Sequence, residues 1–365
     1  MVEELPRLAL LRQLSDRHVL TAVLAAGRLT RAELAAATGL SKPTVSQSVS
    51  RLEANGVLQQ AGRSTGGRGR AGTYLEATEG AGVGVAMHAG PDGVGAQVVS
   101  LAGDVVRKVS HQVSVPTTSR QLSSVLREVA AQAVVDLDAP VRAACLSVAD
   151  PVDRQGQLVH LPNSPFLVGD LDPAETLAGA LPVHVQVDND VNWALLAERE
   201  QGCAQGADDV LYLYLDEGLG AAIVADGHLV RGARGLAGEV AYLPTGSGAL
   251  HRLVRRLDLT RQGQIAVDVA RARALLDGET AAAAELVASL CEAIHGVCYL
   301  LDPALVVLAG GWGSHRRLAT GLADLLAADP GLGARVELAS VPDASLQGAL
   351  LAARRTLVEA VLQVD

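Results

Sequence analysis

The sequence predicts an α/β protein in two parts: a winged helix-turn-helix over residues 1–78, then a two-lobed α/β body over residues 82–365. Three observations carry this. Residues 29–77 hold two capped helical segments, followed by two short strands around a loop of arginines and glycines. Three alternating apolar segments then follow residue 82, with turns between them, and read as an antiparallel meander. Beyond these, strand-like runs alternate with amphipathic helices to the C-terminus, the pattern of stacked α/β layers.

Within the head, Thr30 caps a short helix, and Glu33 three residues later closes a capping box. Gly39 supplies the turn, and Ser41 caps a second helix that ends at Asn55-Gly56. Pro43 falls in the first turn of that helix, where its missing N–H costs little. Val45, Val49 and Leu52 form one buried stripe at helical spacing. Thr44, Gln47, Ser50 and Arg51 lie opposite, where side chains enter a DNA major groove, with Lys42 placed for a phosphate. Strands at Val57–Ala61 and Thr73–Ala77 form the wing. Its Arg63, Arg68 and Arg70 are expected to reach a minor groove or the flanking backbone. An ordinary helical hairpin with a solvated basic loop would not need caps, turn, stripe and basic wing in this order.

Charge follows the same division. Residues 1–80 hold 10 Lys/Arg against 7 Asp/Glu, whereas the remaining 285 hold 20 against 33. A basic head on an acidic body suits contact with phosphates at one end only. Hydrophobic residues make up 49% of the chain but aromatics only 2%, so the cores must be built from Leu, Val and Ala. Arg7 and Arg12 interrupt the apolar N-terminus and nothing resembles a signal peptide. No run is expected to approach a membrane span, which predicts a cytoplasmic protein without a membrane partner. Cys145, Cys203, Cys291 and Cys298 lack CxxC spacing and read as buried free thiols.

In the body, the meander segments are Gly82–Met87, Gly93–Leu101 and Val105–Val115. A helix over Ser119–Val135 and a strand over Val141–Val148 come next. Further strands are expected at Val183–Val187, Val210–Leu215 and Leu305–Leu308. The intervening helices cover about Asn192–Cys203, Thr280–Leu300, His315–Ala328 and Ser345–Leu362.

Four segments of the body, in order, resemble the ROK family (repressors, open reading frames and sugar kinases). EGLGAAIVADGHLVRGARGLAGEVAY at 217–242 is similar to its signature, and VDNDVNWALLAERE at 187–200 to its Asn-Asp-x-Asn segment. LDPALVVLAGG at 301–311 resembles its adenosine element, and LPNSPF at 161–166 the loop whose Asn holds a sugar hydroxyl. The resemblance implies an actin-like (ribonuclease-H-like) ATPase fold, assembled as a homodimer or homotetramer. It also places Asp190 at the position of the kinases' general base, and Asn163, Asn189 and Glu239 at sugar-holding positions. Asn189 and Asp190 equally suit capping of the helix that follows.

Two departures from the family pattern bear on function. Where the kinases carry Asp-x-Gly-Gly-Thr to cradle phosphate, this chain has Ala86 for the Asp and His88-Ala89-Gly90 for Gly-Gly-Thr. Phosphoryl transfer depends on positioning ATP and metal, so catalysis is not expected. Where zinc-bearing members have Gly-Glu-x-Gly-His and three cysteines, this chain has Gly238-Glu239-Val240-Ala241-Tyr242 and no cysteine. No metal or cofactor is therefore expected, and Tyr242 is left to hydrogen-bond a sugar or stack on its face. Trp193 and Trp312 read as core residues, with a cleft-lining surface for an apolar sugar face as the alternative.

The leading expectation is a DNA-binding regulator, most simply a repressor of a palindromic double-stranded operator, whose affinity responds to a sugar or sugar derivative between the lobes. The alternatives are a sugar kinase fused to a DNA-binding head, and a regulator whose body only dimerises.

Overall fold

The computed structural model describes residues 6–63, 72–161, 164–246, 248–262 and 264–363. The head opens with α1 (Pro6–Ala26), β1 (Arg28–Thr30), α2 (Arg31–Thr38) and α3 (Lys42–Ala54), and closes with β2 (Leu58–Arg63) and β3 (Thr73–Ala77). The expected caps are in place. Thr30 accepts from the Glu33 amide, and the Glu33 carboxylate accepts from the Thr30 N–H at 2.8 Å. Gly39 ends α2 at φ 69°, a left-handed conformation that glycine adopts without Cβ strain. Ser41 caps α3.

The sequence reading missed α1 and β1. Strand β1 pairs with β3 in a three-stranded sheet of order β1-β3-β2. Helix α1 buries Val19, Leu20 and Val23 against Val45, Val49 and Leu52, yet exposes Leu10, Leu11 and Leu14. Apolar residues on several sides leave it without the periodic stripe that marks a helix in sequence. The Arg51 guanidinium forks onto Asp16 of α1 at 2.9 and 2.6 Å, with 34% of its side chain still exposed. It fastens α3 to α1.

The first lobe holds β4 (Val83–Gly90), β5 (Gly93–Ser100), β6 (Val105–His111), β7 (Thr117–Thr118), α4 (Ser119–Val134), β8 (Val141–Val148), β9 (Leu167–Val168), α5 (Pro173–Leu177) and β10 (Val185–Asn189). Its sheet runs β10-β8-β4-β5-β6, with the meander antiparallel and β8 and β10 parallel to β4; β7 and β9 form a small separate pair. Helix α4 covers one face through Leu122, Leu126 and Val129. Each such fully buried side chain contributes roughly 1.5–3 kcal/mol.

Helix α6 (Asp190–Gln201) leads to the second lobe: β11 (Val210–Leu215), β12 (Leu219–Ala225), β13 (His228–Leu229), β14 (Pro244–Thr245), β15 (Gly248–Ala249), α7 (Leu250–Arg256), α8 (Val269–Asp277), α9 (Ala281–Leu301), β16 (Leu305–Ala309), α10 (Arg316–Ala328) and β17 (Arg335–Leu338). Its sheet runs β13-β12-β11-β16-β17. The chain then returns to the first lobe as α11 (Ala344–Leu362). Helix α6 packs Val191, Ala194 and Leu195 on the second sheet, while Trp193 joins Ala349 and Ala353 of α11 over the first. The two helices thus fill the space between the sheets.

Helix α9 corrects another expectation. Its 21 residues, with a mean hydropathy of 1.4 over the most apolar window, are long and apolar enough by composition to cross a membrane. In this fold one face packs into the second lobe, burying Leu286, Leu290, Cys291, Ile294 and Cys298, while 33% of that window is buried and Glu292, Tyr299 and Leu300 are exposed. All four cysteines are free, and Cys203 alone is partly exposed.

Glu198, near the end of α6, is fully buried and fastens the return crossing. Its carboxylate accepts from the amides of Ser340, Val341 and Cys203 at 2.7, 2.8 and 2.9 Å. Burial opposes the charge, but the Val341, Cys203 and Ser340 amides outweigh it and hold the carboxyl below its usual range. The contribution is therefore present at neutral pH and is lost as pH falls through the depressed value. Glu198→Ala strands those donors and is expected to lower the unfolding free energy by about 3 kcal/mol in urea denaturation. A loss under about 1 kcal/mol would show that the carboxylate does not hold the crossing.

Candidate functional site

Two surfaces carry the expected site residues. On the head, α3 turns Lys42, Ser46, Gln47 and Ser50 to solvent, with Thr44 half-buried beside its cap, its hydroxyl 2.8 Å from that of Ser41. Ser46 was missed in the sequence, although it shares a row with Lys42 and Ser50 at i+4. A helix with a polar exposed face fits a B-form major groove about 12 Å wide. Arg63 is exposed at the end of β2, and Arg28 at the opposite strand sits 4.9 Å above the Tyr74 ring. Arg68, Arg70 and Asn163 lie outside the described residues.

The second surface is a cleft of about 340 Å³ between the lobes. It forms where strand ends meet. In the first lobe the parallel strands β4, β8 and β10 stop at Gly90, Val148 and Asn189, so Asp92, Asp150 and Asp190 follow at one edge. In the second lobe β11 and β16 end beside Asp216-Glu217 and Gly310-Gly311. Carboxyl ends of parallel strands are where open α/β sheets place ligands.

Four of the expected ligand residues, Asn189, Asp190, Glu239 and Tyr242, line this one cleft. Asn189 also caps α6, accepting from the Val191 amide at 3.0 Å, while its side-chain N–H₂ donates to the Asp150 carbonyl at 3.1 Å. Capping and cleft lining therefore coincide. Glu239 follows Gly238, whose φ of 96° and approach to the Ala221 carbonyl leave no room for a Cβ, which would fall 2.0 Å from that oxygen. Gly235, in the same loop, lies equally tight against the Val152 carbonyl of the first lobe, where a Cβ would fall at 2.1 Å. Tyr242 is 41% exposed at the cleft mouth and meets the His251 ring edge-on at 5.3 Å.

Asp150 was missed. The available signal was an acid two residues past a strand that reads as parallel. It is 3% exposed; one carboxylate oxygen accepts from the Ser164 hydroxyl at 2.5 Å, and the other is buried without a partner among the described residues. Burial, outweighing the Ser164 hydrogen bond and aided by repulsion from Glu239, pushes Asp150 up to about 7. Burial, with repulsion from Asp150, does the same to Asp190, although the Val191 amide pulls the other way. Burial and the charge of Asp190 lift Glu239 to about 7. The three acids thus act on one another across the cleft. Among the described residues no group of three His, Cys, Asp or Glu side chains could hold a metal ion.

The positions that the family resemblance aligns with the phosphate loops are differently surrounded. Ala86 is buried in the apolar layer with Trp193, Ala349 and Ala353. His88 lines the cleft, its ring held below its usual pKa by burial. Asp216 accepts from the Gly311 amide at 2.5 Å and, through its main-chain carbonyl, from Trp312 Nε1 at 2.9 Å. An amide that could face a phosphate therefore faces a carboxylate already. Trp312 is fully buried and Trp193 3% exposed, as expected of core residues.

Residues 85–250 match the ROK family, and residues 12–59 match the winged helix-turn-helix DNA-binding family. The chain is 24% identical over 243 residues to the xylose repressor of Bacillus subtilis strain 168, covering 64% of this chain and 60% of that one. It is 31% identical over 156 residues to the beta-glucoside kinase of Listeria monocytogenes serovar 1/2a, covering 38% of this chain and 53% of that one. The chain thus spans just over half to three-fifths of the length of these relatives. Among solved structures, a ROK family transcriptional regulator described as a homologue of the E. coli MLC protein superposes with a TM-score of 0.69. That match covers 96% of this chain and 98% of the other at 18% identity, and it supports the winged head and actin-like body as a fold.

The clustered acids set a pH dependence. Each titrates near 7 in the fold and near 4 when unfolded, so the fold binds more protons in that window. Stability is lost as pH rises from about 4 to about 7 and stays lost above. Asp150→Asn removes one of these charges and keeps the acceptor for Ser164. It is expected to raise Tm by about 2–4 °C near pH 8 and to leave it unchanged near pH 4. A lower Tm near pH 8 would mean that the Asp150 charge is not a burden.

Proposed function

We propose, for a chain that joins a winged helix-turn-helix head to a ROK-family body, the function of a sugar-responsive transcriptional repressor. The observation that carries it is a continuous apolar core linking the head to the helix pair beside the cleft. Leu357 and Val361 of α11 pack with Leu20, Val49 and Leu75 of the head, and Arg17 pairs with Glu359 at 3.1 Å. Asp190 opens α6, Glu198 ties α6 to the segment entering α11, and α11 reaches α1. A ligand that draws the lobes together moves α6 and hence the head. The Bacillus subtilis relative is a xylose repressor, which supports both halves of the reading.

The regulator acts in the cytoplasm on a palindromic operator, as a homodimer or homotetramer. Lys42 faces a phosphate; Thr44 and Gln47 face bases, joined by Ser46 and Ser50. Arg63, Arg68 and Arg70 of the wing reach the flanking backbone or minor groove. Asn163, Asn189, Asp190, Glu239 and Tyr242 hold the sugar. On DNA selected from a random pool, Lys42→Ala is expected to weaken binding uniformly and lower the slope of log K against log salt by about one. Gln47→Ala is expected to cost about 1–3 kcal/mol on the selected site only. Asp190→Asn and Glu239→Gln should keep DNA affinity and lose release by sugar. Fluorescence anisotropy across salt and a sugar panel measures all three. Full sugar release in both cleft variants would sink the effector site.

A second reading, ATP-dependent phosphorylation of a sugar, is favoured by Asp190, whose pKa near 7 suits a general base. Against it stand Ala86 in the apolar layer and Asp216 on the Gly311 amide, since phosphoryl transfer rests on positioning the nucleotide. ATP hydrolysis is expected to stay at background with Mg²⁺ and mixed hexoses. Turnover above background that Asp190→Asn abolishes would establish the kinase instead.

A further inference from the structure

The cleft floor is rich in acceptors and poor in donors. Asp150, Asp190 and Glu239 converge there, and one Asp150 oxygen is buried with no partner among the described residues. Several nearby donors are already engaged, while the Ser147 hydroxyl and His88 Nδ1 are buried without a partner among the described residues. The Asn189 amide donates to the Asp150 carbonyl, and that of Asn192 to Asp188 at 2.7 Å. The Ser164 hydroxyl donates to Asp150, and the Gly311 amide to Asp216. A neutral sugar presents hydroxyls that both donate and accept, so a floor dominated by three acids satisfies chiefly their donors. An ammonium group has three donors and no acceptor.

We propose that the ligand of this cleft is an amino sugar in its ammonium form, with Asp150 as its counter-charge and Asp190 and Glu239 holding its hydroxyls. This deepens the sugar-responsive reading and rests on it. Three adjacent buried acids without a facing cation repel one another, and burial with that repulsion is what lifts all three to about 7. A bound cation converts the repulsion into attraction, whereas a neutral ligand leaves it in place. A metal ion would serve the same end, but no three ligating side chains among the described residues are disposed to hold one. The tyrosine face at the cleft mouth and the acids from both lobes suit a hydroxylated ring rather than a linear amine. Asp92, Asp216 and Glu217 stand on the remaining walls, together with Arg252 and Arg255.

Isothermal titration of the full chain near pH 7.5 tests this. The probes are glucosamine, galactosamine and mannosamine, their parent hexoses and their N-acetyl derivatives. At least one amine is expected to bind about tenfold or more tighter than its parent, with the preference lost on N-acetylation. Asp150→Asn should bring amine and parent to parity. A parent hexose that binds wild type as tightly as its amine, or a preference that survives Asp150→Asn, overturns the inference and leaves the sugar-responsive repressor standing. Silence from every sugar of the set overturns both.

Discussion

The fold depends on how closely α11 lies against α6. At Gly348 a Cβ would fall 1.8 Å from the Trp193 carbonyl, so no larger residue fits without moving one helix. This contact lets a helix from the extreme C-terminus lie over the first sheet while its neighbour packs on the second. Trp193 completes it by donating its ring N–H to the Leu146 carbonyl of β8 at 3.1 Å. Sheet, helix pair and sheet are thereby held by short-range packing on both sides. Close-packed interiors change between discrete arrangements rather than deforming smoothly. A change in lobe spacing must therefore be carried by α6 and α11 as bodies, and α11 ends in the head.

A second constraint crosses the hinge in polar form. Buried Asp188, at the end of β10, forks with Arg231 from the second lobe and also accepts from Asn192 and the Asn189 amide. Arg154 donates to the Gly232 carbonyl at 3.0 Å. The loop that carries Glu239 is thus tied to the first lobe on one side and to Ala221 of its own sheet on the other. These ties fix where the acid points without using the acid itself. A fully satisfied network of this kind holds geometry more than it adds net stability.

Much of this was legible in the sequence, for definite reasons. The capping box at Thr30 and Glu33, the turn glycine at 39 and the buried stripe of α3 are local signals, and local signals survive in one dimension. Strands Val141–Val148 and Val210–Leu215 were bounded correctly because continuous apolar runs between turn residues leave little freedom. Helix α1 was missed because its apolar residues face both the head core and solvent, and α7 and α8 because they are short. Arg51 read as a DNA contact since it lies on the polar side of α3; its partner, Asp16, is 35 residues away in a helix not foreseen. Asp150 carries the same lesson inside the cleft. Its importance comes from convergence with Asp190 and Glu239, which belong to other strands and the other lobe, and no spacing rule encodes that.

The departures from the kinase pattern lie together on one side of the cleft. A kinase must hold two substrates and release two products, and its donors must meet phosphate oxygens. Here a carboxylate sits on the Gly311 amide, Glu217 pairs with Arg261, and an alanine fills the position of the phosphate-side acid. The cleft between these elements is lined by Asp150 and Asp190 from one lobe and Glu239 and Tyr242 from the other. A ligand shifts a conformational equilibrium only by the difference in its affinity for the two states. Contacts shared between lobes make the affinity of any ligand bound there depend on their separation.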